Sequence, residues 1–341
     1  MIQSSPTILQ VPPAVASDIC KYLNPLEMIN ACSTIPNWKW ILFSQWAIMR
    51  FNYHMSKWAW VDKPLCELVL LEQPISVDNV CKAVLHHSKQ AEVFQQNSSV
   101  IFASSSAMTH FRCLLMGPAV DTVGLLDSFY ATLLHLMPKK SKGQAHPRVS
   151  NGIPICIALG NKGRSVDLLI EVSTLHARVR SRREIERSRV NDSLIMDSDG
   201  LSKQAEVMMK SSDFIFYMLH GTSESTNWEE VQWELSNVCR RLSSNQILLI
   251  IYVNETNEST WGERSHLFDI VQNLGGLEHG PLSECQTNWQ MWYLKKTGSN
   301  YVNLVDILKR ACVDVATKRV NFTQDNPSML SIIWRLIRNW S

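Results

Sequence analysis

Two apolar runs constrain the fold of this chain more than any other feature. They are Phe214-Ile-Phe-Tyr-Met-Leu219 and Ile247-Leu-Leu-Ile-Ile-Tyr-Val253. Each is too short for a buried helix and carries no polar alternation, so each reads as a strand covered on both faces, the habit of parallel sheets. Four further stretches read as strands: Phe111–Gly117, Ile153–Gly160, Val166–Ser173 and Trp289–Lys295. Helical patterns lie among them at Asp121–Met137, Leu201–Lys210, Trp228–Leu242, Glu263–Leu274 and Val302–Lys318. Strands alternating with helices predict βαβ crossovers and a largely parallel sheet. The connection around Gly163 is too short for a crossover, so Ile153–Gly160 and Val166–Ser173 form an antiparallel hairpin. The predicted class is therefore an α/β sheet flanked by helices, over residues 111–319, behind a helical N-terminal region.

One hairpin followed by crossovers is the layout of small GTPases, and their chemistry can be checked residue by residue. A phosphate loop needs G-x-x-x-x-G-K-[ST], whose amides and lysine hold the phosphates and whose hydroxyl binds magnesium. The chain has Gly117-Pro-Ala-Val-Asp-Thr-Val-Gly124. Val123 stands where the lysine belongs and Gly124 where the hydroxyl belongs. Pro118 lacks an N–H, and Asp121 puts negative charge where phosphate would sit. Asn254-Glu-Thr-Asn257 replaces the guanine-reading N-K-x-D, and Val172-Ser-Thr-Leu175 carries no D-x-x-G. The expectation is a degenerate phosphate loop that neither binds nor hydrolyses GTP.

The N-terminal region begins with residues 1–10, read as a flexible tail. Pro12-Pro13 suits the first turn of a helix with Val15, Ile19, Tyr22 and Leu23 on one face. Asn24 is an N-cap with Pro25 at the first helical position, predicting a second helix to about Cys32. After Pro36 a third helix is predicted, with Trp38, Leu42, Trp46, Met49 and Tyr53 on one stripe. Three such helices over residues 11–55 cannot bury all of that surface alone. Residues 56–110 read as a helical linker: an aromatic turn at Ser56–Trp60, helices at Leu65–Leu71 and Ser76–Gln95, then a Ser/Ala-rich boundary at Asn97–Thr109. Val77, Val80, Val84 and Phe94 form the apolar stripe of the longer helix.

Val11-Pro-Pro13, Ile19, Tyr22-Leu-Asn-Pro25, Glu27-Met28, Ala31-Cys32 and Trp38 together resemble an F-box, the adaptor-binding module of SCF ubiquitin ligases. Pro13 and Val11 depart from its usual acidic residue and leucine. Glu67–Ser76, Arg112–Ala119, Asp213–Tyr217 and Trp228–Ser236 extend the resemblance to the F-box only protein 4 family, from Val11 to about Arg319. That resemblance implies a non-catalytic substrate receptor. Pro12, Ile19, Leu23, Pro25, Met28 and Trp38 would face the adaptor Skp1, and through it cullin-1 and a RING subunit. An atypical small-GTPase-like domain would bind a protein substrate, of the telomere-repeat-binding or cyclin D1 type. No cofactor or metal is implied.

In such a fold Ile153–Gly160 is a sheet edge, and an unpaired edge can accept a partner strand. Ile153, Ile155 and Ile157 would point to one face and Cys156 and Ala158 to the other, with Leu125 and Phe129 sustaining the site. The alternative is that flanking loops cover the strand. Other classes remain as rivals: a nucleotide-binding switch, or a scaffold outside any ligase.

The 33 basic and 31 acidic side chains leave a charge of +2, which argues against nucleic acid or an anionic membrane as a global partner. Nine cysteines lack any C-x-x-C pair, and no apolar run reaches membrane-spanning length. They read as reduced thiols of a cytoplasmic or nuclear protein. His86-His87 reads as an ordinary pair without metal-ligand spacing. Arg178–Arg189 is a solvated basic helix, an acidic-partner patch or a nuclear signal. Residues 320–341 carry an apolar stripe, Leu330, Ile333, Trp334, Ile337 and Trp340, for packing on the body or for a homodimer.

Overall fold

A computed structural model describes residues 11–71, 75–103, 110–122, 125–134, 153–161, 164–175, 195–197, 200–220, 227–253, 266–297 and 300–325. Helices α1 (Pro13–Tyr22) and α2 (Pro25–Thr34) open it, as the two proline positions predict. Asn24 and Glu27 close a reciprocal capping box, each side chain bonded to the other's amide at 2.8 Å. The third helix is not continuous. A 3₁₀ segment, Pro36–Phe43, is followed by α3 (Gln45–Met55), with extended Ser44 between them. That break re-aims the stripe: Trp38 and Leu42 are buried, but α3 buries Ala47, Phe51 and Met55 and turns Met49 and Tyr53 to water.

Strand β1 (Trp60–Asp62) and helices α4 (Lys63–Leu70) and α5 (Val77–Ala103) follow. Two differences from the sequence reading stand out here. The aromatic turn continues into a strand, which three residues are too few to announce by periodicity. The helix expected to stop near Gln95 continues to Ala103, through part of the stretch read as a boundary. Serines and alanines tolerate a helix, and α5 packs against α4, α10, α2 and α3.

All six predicted strands are present: β2 (His110–Met116), β3 (Ile153–Asn161), β4 (Arg164–Thr174), β7 (Phe214–His220), β8 (Ile247–Val253) and β9 (Trp289–Leu294). Two short hairpins, β5 (Met196–Asp197) with β6 (Gly200–Leu201) and β10 (Lys296–Thr297) with β11 (Asn300–Tyr301), decorate them. The helices among them are α6 (Leu125–Leu134), α7 (Lys203–Lys210), α8 (Trp228–Arg241), α9 (His266–Asn273) and α10 (Leu304–Asp325).

The main sheet has seven strands in the order β1-β9-β8-β7-β2-β4-β3. The hairpin β3–β4 is antiparallel, β1 is antiparallel to β9, and the four remaining pairings are parallel. Register puts Trp60, Trp292, Phe216 and Phe111 on one face, since paired residues point the same way. Helix α10 covers that face, with Arg310 over Trp60 and Arg319 over Phe111. The opposite face carries Ile215, Tyr217, Leu248 and Ile250, all buried, and α9 packs against β1 and β9. One continuous core runs from Ala16 in α1 to Ala316 in α10. The helical region therefore borrows its core from the sheet, as its size requires.

No helix among the described residues is long and apolar enough to cross a membrane.

Candidate functional site

The most unusual surface lies on α1 and α3. The core-facing side of α1 is small, Ala16 and Cys20, while Val15, Ile19 and Tyr22 are exposed, Tyr22 to 90%. On α3, Met49 and Tyr53 are exposed as well, and on the 3₁₀ segment Trp40 and Phe43. Arg50 joins the two helices. Its guanidinium donates to the carbonyls of Cys20 (3.1 Å), Lys21 (3.0 Å) and Leu23 (2.6 Å), closing the C-terminus of α1. That clamp ties the C-terminus of α1 to α3. Residues 11–59 carry four lysines and arginines (Lys21, Lys39, Arg50, Lys57) against two carboxylates (Asp18, Glu27), and Lys21 pairs with Asp18 at 2.8 Å. Lys57 sits 4.7 Å from the Tyr53 ring centroid.

The six residues expected to face an adaptor divide. Pro12 and Ile19 are exposed and Leu23 is half-buried. Pro25, Met28 and Trp38 are buried, Met28 completely, so the expectation that they meet a partner is corrected: they hold α2 and the 3₁₀ segment in the core. Spacing alone does not tell an exposed residue from one that supports the exposed face from within. Val15, Tyr22, Met49 and Tyr53 take the exposed places instead.

Gly117 earns its glycine in a way the motif reading did not foresee. Its φ is +102°, and an added Cβ would lie 2.6 Å from the Met218 carbonyl oxygen and 2.7 Å from its nitrogen. The glycine serves a close approach to β7. A 3₁₀ turn, Pro118–Asp121, follows, and the amides of Val120 and Thr122 donate within it to the Gly117 and Ala119 carbonyls at 3.1 Å. Ala119 and Val120 are buried and Asp121 half-buried. Val123, Gly124 and Asn254–Asn257 lie outside the described residues. Gly117→Ala is expected to cost about 1–3 kcal/mol of unfolding free energy, read by urea denaturation, from backbone strain and the Met218 contact together.

Strand β3 is the end of the sheet, paired on one side to β4. Ile155 and Ile157 are buried, Ile153, Pro154 and Cys156 are half-buried, and Ala158 is exposed. Register places Ala158 beside Asp167, Cys156 beside Leu169 and Pro154 beside Glu171, whose carboxylate lies 3.6 Å from Arg112. The edge is thus accessible on its Cys156–Ala158 face. Leu125 and Phe129 are 0% and 1% exposed and cannot touch a docked strand. They belong to the core, because α6 is tied to β4 by Tyr130 Oη on Thr174 Oγ1 and to β11 by the Tyr301 amide on Thr132 Oγ1 (3.1 Å).

Between these two surfaces lies a junction that the sequence reading passed over. His87 of α5 is sandwiched between Trp58, at 4.3 Å and 2° between planes, and Trp60, at 4.5 Å and 22°. Its Nε2 is buried without a hydrogen-bond partner among the described residues. Burial, then His54, His86 and Arg310, lower its pKa to about 4. His86 instead pairs with Asp62 at 3.1 Å. The doublet and the Trp-Ala-Trp at 58–60 were the visible signal. A histidine held neutral in the folded state contributes stability that is complete above its ordinary value near 6.5 and is lost as pH falls toward 4. Stability is therefore expected to fall by about 1.4 kcal/mol per pH unit below 6.5, and His87→Phe should flatten that limb between pH 6.5 and 5, before carboxylates titrate.

No group of three His, Cys, Asp or Glu side chains among the described residues is placed to hold a metal. The basic run Arg178–Arg189 and the stripe Leu330–Trp340 lie outside the described residues. No protein-family model matches the chain, and no curated protein matches it either.

Proposed function

We propose that this protein is the substrate-recognition subunit of an SCF-type ubiquitin ligase. The observation that carries the reading is the apolar face of α1 and α3, left outside the chain's own core although the same helices bury Ala16, Cys20, Ala47, Phe51 and Met55. A monomer gains nothing by exposing Ile19, Tyr22, Met49 and Tyr53; a partner surface does. Skp1 is the partner to which the F-box resemblance points, with cullin-1 and a RING subunit reached through it.

The sheet supports the second half of the reading. Its order from β3 to β9, with one antiparallel hairpin and parallel crossovers, accords with a small-GTPase-like domain. Gly117 packed on β7, and loop amides spent within their own turn, favour a domain that recognises protein rather than nucleotide. The substrate docks on the β3 edge by adding a strand over Pro154–Ala158, reading the open face beside Asp167 and Leu169. The chain's part in ubiquitin transfer is proximity: it holds a substrate lysine near a charged conjugating enzyme and needs no acid, base or nucleophile of its own.

Co-elution of purified full-length chain with Skp1 in size-exclusion chromatography tests the adaptor half, and a 1:1 complex is expected. Two separately eluting proteins would reject it. For the substrate half, Cys156→Glu with Ala158→Glu should abolish substrate capture while leaving Skp1 binding and melting unchanged. Capture at wild-type strength would move the site elsewhere.

A further inference from the structure

Burial alternates along β4. Leu168, Ile170 and Val172 are buried, Leu169 and Glu171 are half-buried, and Asp167 is exposed. One face of the strand therefore belongs to the core and the other is open. On the open face each β4 residue has a β3 neighbour: Glu171 beside Pro154, Leu169 beside Cys156, and Asp167 beside Ala158. On the far side, β2 sets Arg112 beside Glu171 and His110 beside Leu169, where its described pairing with β4 begins. This corner of the sheet thus consists of three cross-strand rows, each ending at the free edge of β3.

The rows differ in charge. Glu171 is answered inside its own row by Arg112, at 3.6 Å. The middle row offers Leu169 and Cys156 as a half-buried apolar step. Asp167 shares its row with the exposed Ala158 methyl, and among the described side chains no cation pairs with it. Aspartate is disfavoured inside strands, so its place in β4 is not explained by the strand itself. A strand added to β3 would run two strand spacings, roughly 10 Å, from β4. A short side chain on that strand would meet only Ala158. A lysine or arginine, extended over the methyl, spans the row and brings its cation to the carboxylate.

We infer that Asp167 is the specificity-determining residue of this edge. It selects an extended protein segment with Lys or Arg opposite Ala158 and, two residues away on the same face, an apolar side chain opposite Cys156. The inference rests on the β3-edge reading of the substrate site given above. An acidic side chain opposite Ala158 is repelled by the same carboxylate, and a basic one opposite Pro154 meets a glutamate that Arg112 already holds.

The test pans a phage-displayed library of random nine-residue peptides on the full-length protein and on its Cys156→Glu/Ala158→Glu variant. Clones retained only by the wild type are those that read the edge, and they are expected to share an apolar-x-basic pattern. In fluorescence anisotropy, replacing that basic residue of a selected peptide by Gln should weaken binding about fivefold, less at high salt. Asp167→Asn should erase the difference, and Asp167→Lys should reverse it, so that the Glu version of the peptide binds better than the Lys version. Asp167 is exposed, so both variants should keep the wild-type Tm. Edge-dependent clones without basic enrichment, or a basic preference that survives Asp167→Asn, overturn the inference and leave the edge reading standing. If no retained clone depends on the edge, the edge reading itself falls and takes the inference with it. Sedimentation of the chain alone as a dimer that the Cys156→Glu/Ala158→Glu variant loses would give the edge to a second copy and overturn both.

Discussion

Arg310→Ala is expected to lower the unfolding free energy by about 3–5 kcal/mol, the loss that follows when one member of a buried ion pair is removed. Arg310 is 7% exposed. Its guanidinium meets Asp314 at 3.2 Å and donates to the backbone carbonyl (3.1 Å) and side chain (3.2 Å) of Gln90, while lying over the Trp60 and Phe94 rings. One side chain thus ties α10 to α5 and to the edge strand β1. Asp314 also receives Gln290 at 2.8 Å, and Gln290 in turn receives the Trp292 indole at 3.0 Å. Burial pushes the Asp314 carboxyl up, and Arg310 and Gln290 act against that push. Without Arg310 the carboxyl stays protonated to higher pH. A raised carboxyl pKa stabilises below that pKa and is lost as pH rises through it, so the variant's deficit should shrink on acidification. Arg310→Met with Asp314→Leu should recover most of the loss, since a well-packed apolar pair replaces a buried ionic one at little cost. Urea denaturation of the three proteins at two pH values reads all of this.

The second large effect is expected at the opposite end of the molecule. Ile19→Glu with Met49→Glu should weaken Skp1 binding by about 100-fold or more, because carboxylates would be buried where apolar anchors belong. Both residues are exposed in the free chain, so Tm should hardly change. Trp38→Ala supplies the contrast. It removes a core side chain, costs about 3–5 kcal/mol of folding, and should impair binding only as far as it unfolds the helices.

How far the sequence speaks depends on the physical origin of each feature. Runs such as Phe214–Leu219 announce strands because burial on both faces leaves no alternation, and the Asn24-Pro25 cap announces α2 because its chemistry is local. Strand β1 is silent, since its existence depends on pairing with β9 more than 200 residues away. The break at Ser44 is equally silent, and it decides which side of α3 meets water. For the candidate site the helices were legible, but the division between Ile19 outside and Met28 inside was not. Helical spacing defines faces, and only tertiary packing says which face the core takes. Gly117 marks a further limit: a glycine can satisfy a motif while being required for contact with β7.

Calorimetric titration of Skp1 into wild-type protein, the Ile19→Glu/Met49→Glu variant and the Cys156→Glu/Ala158→Glu variant tests the receptor reading most directly. Saturable 1:1 binding by the wild type and the β3 variant, with heat abolished only in the α1–α3 variant, is the predicted result. No heat from folded wild-type protein, or equal binding by all three, would contradict it.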